Sequence, residues 1–340
     1  MKASEMRLQM TITGCVMSRD DEKTLGECLS SLSEVADRLV VVDTGSRDGT
    51  LEIAREHGAE IHRIKWADDF SSARNYALEQ AKGDWVVFLD ADEYLRADAA
   101  WLKKALAAET KDVLLCALYN LGIQENGPVY GGGVARIFKN DSRIRYRRPV
   151  HEYLFHAERE LSCADYRREV GIFHSGYDQE KMKDKNKYGR NVSLLLKELK
   201  KDSADGEIHF YLADMHRLAG DWEKAMFHLE AALQYNSFRK ETYLRFTHIS
   251  KVMTMIESQK YANEEIMEAI EKGLAIFPSS IELKVCREVV MVKVGKRARK
   301  ALEDVQDSLR LFEMDNTAWP LDDQMMPEVC RLLKKSVGEH

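Results

Sequence analysis

Several features that would narrow the function at once are missing from this sequence. No two of its six cysteines, Cys15, Cys28, Cys116, Cys163, Cys286 and Cys330, form a CxxC pair. That argues against a zinc framework or a disulfide scaffold and fits a reducing, cytoplasmic compartment. No apolar run approaches the length of a membrane span, and Met1 to Arg7 is charged where a signal segment would be apolar. Net positive charge is missing too. The formal balance is -6, which gives no general reason to expect nucleic-acid binding. No GxGxxG follows the first apolar run, where Thr13-Gly14-Cys15 offers one glycine, and no GxxxxGK(S/T) occurs. These two absences argue against a dinucleotide fold and remove a phosphate-binding P-loop.

What is present is an ordinary globular composition, 44% hydrophobic and 32% charged over 340 residues, a length for which two domains are the default. The two halves differ in texture. From Leu8 to about Leu106 apolar strands alternate with amphipathic helices. Strands are expected at Leu8–Met17, Leu39–Val42, Ala59–Trp66 and Trp85–Leu89, and helices at Glu22–Ser33, Thr50–His57 and Ser71–Lys82. Repeated βα units predict a parallel sheet covered by helices on both faces. Val113 to Tyr177, with short β-prone runs and Gly131-Gly132-Gly133, is expected to extend that sheet with antiparallel elements. Beyond Lys181 the pattern is helical. Leu212, Ala213, Gly220, Ala225, Leu229 and Ala232 fall at tetratricopeptide-repeat spacing within Glu207–Ser237. Ile266, Ile270, Gly273 and Pro278 mark a weaker copy. The expected organisation is an α/β domain over 1–180, a linker helix over 181–204 and an all-α, helical-repeat domain over 205–340.

The most informative stretch is Phe88-Leu89-Asp90-Ala91-Asp92-Glu93. A buried apolar strand ends there in three carboxylates within four residues. In an open α/β sheet the carboxyl ends of the strands are where ligands bind. Clustered carboxylates at that place suit Mg²⁺ or Mn²⁺, which usually also grips substrate phosphates. The alternative is a strand followed by a helix, with Asp92 as N-cap and Glu93 favoured by the helix dipole.

Other residues can join this cluster. Asp43 follows the Leu39–Val42 strand and so shares its edge of the sheet. Val40 to Ser46 resembles the active-site stretch of aspartic proteases, but that mechanism needs two aspartates sharing a proton, and this βα context supplies one. Asp90-Ala91-Asp92 resembles the aspartate pair of haloacid-dehalogenase phosphatases, yet it lies on the fourth strand instead of the first. Asp68-Asp69-Phe70-Ser71 opens a helix with good capping residues. Arg74, three residues later, opposes the helix dipole. It needs a partner, which is a phosphate, a nearby aspartate, or Asp69 on the surface. His151-Glu152 follows a basic strand, and a carboxylate beside a histidine suits proton transfer. His174 ends the Gly171-Ile172-Phe173 strand, where imidazole can complete a metal shell. Arg143, Arg145 and Arg147 alternate along one strand face. With Arg136, Lys139 and Arg148 they form a basic stretch that suits either an anionic substrate or solvent.

Taken in order, these residues resemble the family 2 glycosyltransferases with a GT-A fold, a Rossmann-like mixed sheet that binds nucleotide-diphospho-sugars. The resemblance covers about residues 8 to 180. It rests on Asp43-Thr44-Gly45-Ser46, Asp48-Gly49-Thr50, Phe70 with Ala73-Arg74-Asn75, Asp90-Ala91-Asp92-Glu93, His151-Glu152 and His174-Ser175-Gly176-Tyr177. The tail resembles the branch of that family with a C-terminal helical-repeat domain, which includes bacterial peptide and protein glycosyltransferases. The family's usual Asn-Glu after the first strand is Arg19-Asp20 here. The resemblance implies inverting, metal-dependent transfer of a sugar from a nucleotide diphosphate sugar, most often UDP-linked, to an acceptor hydroxyl or thiol. It implies that Asp43, Asp69, Arg74, Asp90 and His151 bind donor or acceptor. It also implies that Asp92 and His174 hold Mn²⁺ or Mg²⁺, and that Glu152 is the base. The acceptor would be a peptide, protein or glycan. The alternatives are a nucleotidyl or phosphoryl transferase on a similar sheet, or an inactive module in which the repeats act as a binding protein.

Overall fold

The computed structural model describes residues 10–124, 127–175 and 185–293. Gly176, Tyr177, Lys181 and Cys330 lie outside the described residues, as does the part of the expected 205–340 domain beyond residue 293. The chain divides into two compact units, Met1–Asp184 and Lys185–His340.

The first unit is built on a mixed sheet. Its strands are β1 (Ile12–Ser18), β2 (Arg38–Asp43), β3 (Glu60–Arg63), β4 (Trp85–Asp90), β5 (Glu93–Arg96), β6 (Val113–Gln124), β7 (Gly127–Lys139), β10 (Cys163–Asp165) and β11 (Gly171–His174). The order is β3-β2-β1-β4-β7-β6-β11-β5, with β10 beside β6. Strands β1 to β4 run parallel, while β7 is antiparallel to both β4 and β6. Strands β8 (Ile144–Arg147) and β9 (Tyr153–His156) form a separate antiparallel ribbon.

Successive side chains of β2 and β4 enter opposite cores, and for that reason both read as unbroken apolar runs. Leu39, Val41, Trp85, Val87 and Leu89 pack under α1 (Leu25–Val35), α2 (Thr50–Glu56) and α4 (Ala99–Ala108). Val40, Val42, Val86 and Phe88 pack under α3 (Phe70–Gln80) with Ile144 and Tyr146 of β8. The double burial leaves polar side chains only at the strand ends, so β2 and β4 finish on Asp43 and Asp90 at one edge of the sheet.

One alternative from the sequence falls at this edge. Glu93 does not open a helix. It begins β5, which pairs antiparallel with β11 so that Glu93 stands opposite His174. The helix-capping reading of Asp92 is therefore excluded. Glu93 itself is buried, only 3% exposed.

The second unit is helical: α5 (Lys185–Leu199), α6 (Gly206–Leu218), α7 (Trp222–Tyr235), α8 (Glu241–Ser258), α9 (Asn263–Ile276) and α10 (Ile281–Lys293). The repeat-spaced residues Leu212, Ala213, Ala225, Leu229 and Ala232 are all buried. Gly220 turns the chain between α6 and α7 at φ +74°, where an L side chain is strained. Asp221 then caps α7, accepting the Lys224 N–H at 3.3 Å. Gly273 permits close approach of α9 and α10, since a Cβ there would meet Leu283 at 2.8 Å.

Candidate functional site

The site is assembled around α3 and the segment that follows β8. Asp69 caps α3, accepting hydrogen bonds from Ser72 N at 3.0 Å and Ser71 Oγ at 2.7 Å. The Phe70 N–H donates to the Pro149 carbonyl at 3.0 Å. One turn on, Asn75 holds Tyr146 by both backbone groups, Nδ2 donating to its carbonyl and Oδ1 accepting its N–H. The helix therefore grips the chain on both sides of residues 147–148. Arg148 inside the gripped stretch and His151 just beyond it take φ +77° and +53°. Such backbone costs of order 1–3 kcal/mol per residue and persists only where its surroundings enforce it. Asp20 and Asp68, in two other loops of the unit, are also left-handed. The constrained loop delivers Glu152 to Arg74.

Arg74 is 4% exposed and does not pair with Asp69 on the surface. Its Nε donates to Glu152 Oε1 and its Nη2 to Asp90 Oδ1, each at 2.6 Å. Its guanidinium lies over the rings of Phe88 and Tyr146. A second arginine completes the cluster. Arg136 of β7 uses one nitrogen, Nη2, to donate to Asp90 Oδ2 and to Glu93 Oε1, both at 2.6 Å. Glu93 Oε2 in turn accepts the Asp90 N–H at 3.0 Å. The result is a continuous chain, Glu152–Arg74–Asp90–Arg136–Glu93, in which both oxygens of Asp90 are engaged.

The electrostatics follow from that wiring. Burial works against the Asp90 charge, but the charges of Arg136 and Arg74 outweigh it and hold its carboxyl below the usual range. Glu93 goes the other way. Burial raises it, and the Asp90 charge adds to the rise against the opposing pull of Arg136. Both guanidinium groups are raised, because their carboxylate partners outweigh the burial that opposes their charge. Compensation of this kind is what allows charged groups to remain inside a fold.

Asp92 and His174 form a second group. His174 Nε2 lies 3.3 Å from Asp92 Oδ2, and Nδ1 is 3.3 Å from Asn120 Oδ1. Register explains the meeting: His174 of β11 stands opposite Asn120 of β6 on one side and Glu93 on the other. Among the described residues no group of three or more His, Cys, Asp or Glu side chains is placed to hold a metal. One carboxylate and one imidazole suit an ion that keeps several waters and completes its shell with substrate phosphate, which is the habit of Mg²⁺ and Mn²⁺. The residues present fit such an ion.

Asp43 and Asp69 are not drawn into either group. Asp43 is fully buried. Its carboxylate accepts the Ser46 and Gly45 N–H groups at 3.0 and 3.2 Å and the Arg63 Nε at 3.3 Å. It shapes its own turn at the sheet edge, as Asp69 shapes the start of α3. The Arg19-Asp20 loop is tied to that same turn, with Asp20 accepting the Arg47 N–H at 2.7 Å. The basic stretch disperses. Arg143 pairs with Asp141 and Glu158, Arg145 donates to backbone carbonyls, and Arg147 lies over Phe155. Arg136 of that stretch reaches the cluster, through Asp90 and Glu93. The sequence marked Arg136 only as part of a basic stretch and not as a partner of the carboxylates, and it did not mark Asn120. For Arg136 the available signal was its place in an apolar strand pattern.

Comparison with known proteins gives the following. The family model "Glycosyl transferase family 2" matches residues 15–159. A TPR repeat-containing protein of Synechococcus elongatus is 41% identical over 138 residues, 41% of this chain and 34% of that protein. The prophage-derived glycosyltransferase SunS of Bacillus subtilis is 25% identical over 234 residues, 68% of this chain and 54% of that protein. The chain thus spans a third to about half of the length of these relatives. Among solved structures, residues 1–349 of S. aureus TarS in complex with UDP-GlcNAc match at 17% identity and a TM-score of 0.43. That match covers 84% of this chain and 93% of that one.

Proposed function

The chain carries a family 2 glycosyltransferase domain, and from that premise we propose that it moves a sugar from a UDP-linked donor to an acceptor hydroxyl or thiol with inversion at the anomeric carbon. The observation that carries the reading is the ion pair of Glu152 with Arg74, which is itself bonded to Asp90 at the ligand-binding edge of the sheet. A carboxylate held at that place can serve as the general base the transfer requires. Glu152 takes the acceptor proton as the acceptor oxygen or sulfur bonds to the anomeric carbon and the bond to the diphosphate breaks. Asp43, Asp69, Arg74, Asp90 and His151 line the donor and acceptor side of this reaction. Asp92 and His174 would hold Mn²⁺ or Mg²⁺, and the bound ion would supply Lewis-acid stabilisation of the leaving diphosphate. The acceptor is a peptide, protein or glycan, and the helical unit offers the extended surface such a ligand needs. Among the described residues no helix is long and apolar enough to cross a membrane.

The test is a thermal-shift screen of UDP and UDP-sugars with and without Mn²⁺, followed by an assay of UDP release. A ligand at a hundred times its Kd stabilises the native state by about 2.7 kcal/mol. Metal-dependent stabilisation by UDP-sugars supports the proposal. Stabilisation by no uridine nucleotide, with no UDP release, overturns it.

A further inference from the structure

Arg136 stands on the far side of Asp90 from Arg74 and supplies the second of the two cations in a chain that holds three carboxylates. We propose that Arg136 is a positioning residue for the transfer base, acting on Glu152 through Asp90 and Arg74. The inference rests on the glycosyltransferase reading of the site and extends it to a residue outside those assigned to donor, metal or base.

Arg136 Nη2 has two hydrogens and gives one each to Asp90 Oδ2 and Glu93 Oε1. The two carboxylates, three residues apart in sequence, are kept together by that one nitrogen. Arg74 then needs to meet only the remaining oxygen of Asp90, through Nη2, and its Nε is left to hold Glu152. Without Arg136, Arg74 becomes the sole cation in a buried cluster of Asp90, Glu93 and Glu152. Asp90 Oδ2 and Glu93 Oε1 then compete for its hydrogens, and the geometry at Glu152 is no longer fixed. The backbone enforces the arrangement. β7 is antiparallel to β4, with Val87 opposite Ile137 and Val86 opposite Phe138, so Arg136 follows on level with Phe88, and its long side chain spans the two residues to Asp90. Arg136 Nε is itself buried without a hydrogen-bond partner. Holding that group inside is a cost the fold would avoid if an apolar residue served equally well.

The experiment measures release of UDP from UDP-glucose and UDP-GlcNAc with Mn²⁺, using the full chain. Water serves as acceptor and uses the same base. Arg136→Met should lower kcat on the order of 10²-fold, the scale of a misplaced reacting group. UDP affinity measured by calorimetry should stay within a few-fold. Arg136→Lys keeps the charge without the planar fork and should recover part of kcat. The deciding measurement is a double-mutant cycle. In a Glu152→Gln background Arg136→Met should cost only a few-fold, because there is no longer a base to orient. Equal losses in both backgrounds, a parallel loss of UDP affinity, or unchanged kcat in Arg136→Met would overturn the proposal. If Arg136→Met does not fold, the same cycle with Arg136→Lys decides. A wild-type protein that binds no UDP and releases none defeats the glycosyltransferase reading and this inference with it. A wild-type enzyme that turns over while the cycle is additive defeats the inference alone.

Discussion

Glu152 is held by one hydrogen bond from Arg74 at 2.6 Å, and that bond separates its roles in charge balance and in chemistry. Glu152→Gln keeps the shape but cannot take a proton. Transfer should fall by roughly 10²–10⁴, the usual scale for losing a general base, while UDP affinity stays near wild type. Nearly full turnover in this variant would move the base elsewhere, with Asp69 the next candidate. Asp92 is a different kind of residue. Its carboxylate faces the His174 imidazole at 3.3 Å, so Asp92→Ala should leave the fold intact, abolish transfer and remove the Mn²⁺ dependence of UDP binding. Undiminished activity of the wild-type enzyme in excess EDTA would contradict the metal role. Asp90, Arg74 and Glu152 were legible in the sequence because each breaks a local rule: a charge at the end of an apolar strand, a cation in a first helical turn, a carboxylate beside a histidine. Arg136 breaks none. Its partners are 46 and 43 residues away, and only strand pairing brings them into reach.

Elements were readable where burial on both faces imposed a continuous apolar run, as in β2 and β4, and where capping chemistry was local, as at Asp69 before α3. β5 was not. Its four residues, Glu93 to Arg96, become a strand only through pairing with β11, some 78 residues later, and no local pattern encodes such a partner. The α6–α7 pair was foreseen from small-residue spacing, but its histidines were not. His228 Nδ1 lies 2.9 Å from His209 Nδ1, and its ring stacks on His216 at 5.6 Å. Burial lowers the pKa of all three. For His228, burial followed by the charges of His209 and His216 brings it down to about 4. A histidine depressed in the folded state is neutral there, while the unfolded chain takes up a proton below about 6.5. Its contribution is therefore complete above about pH 6.5 and is lost as pH falls toward 4, by roughly 1–3 kcal/mol. Amide exchange in α6 and α7, corrected for intrinsic rates, should show falling protection from pH 7 to pH 5. His228→Gln should flatten that dependence. Protection that is constant with pH in the wild type would refute the assignment.

At the scale of the whole molecule, the sequence already marks a change of texture near residue 180, and each unit has a core of its own. Strands β1 to β4, β6, β7 and β11 bury residues from Ile12 to Ile172, and the helices α6 to α10 bury residues from Phe210 to Val290. Every residue assigned to donor, metal or base lies in the first unit, the last being His174. The buried faces of α6 and α7 follow repeat spacing, which in stacked helical repeats leaves extended surfaces for long ligands. A peptide or protein acceptor needs more contact area than a monosaccharide. A chain ending at Asp184 should therefore fold cooperatively, bind UDP and UDP-sugars within a few-fold of the full chain, and release UDP slowly to water. It should also lose transfer to the physiological acceptor. A second chain, ending at Asp202, retains α5, which lies with the helical unit, and should behave the same. Circular dichroism establishes folding, calorimetry reads donor binding, and product mass reads transfer. A folded 1–184 chain that transfers normally would place acceptor recognition in the Tyr119–Arg148 region of the first unit. A 1–184 chain that cannot fold would mean that the two halves complete one another's cores and that the division near residue 184 is not a domain boundary.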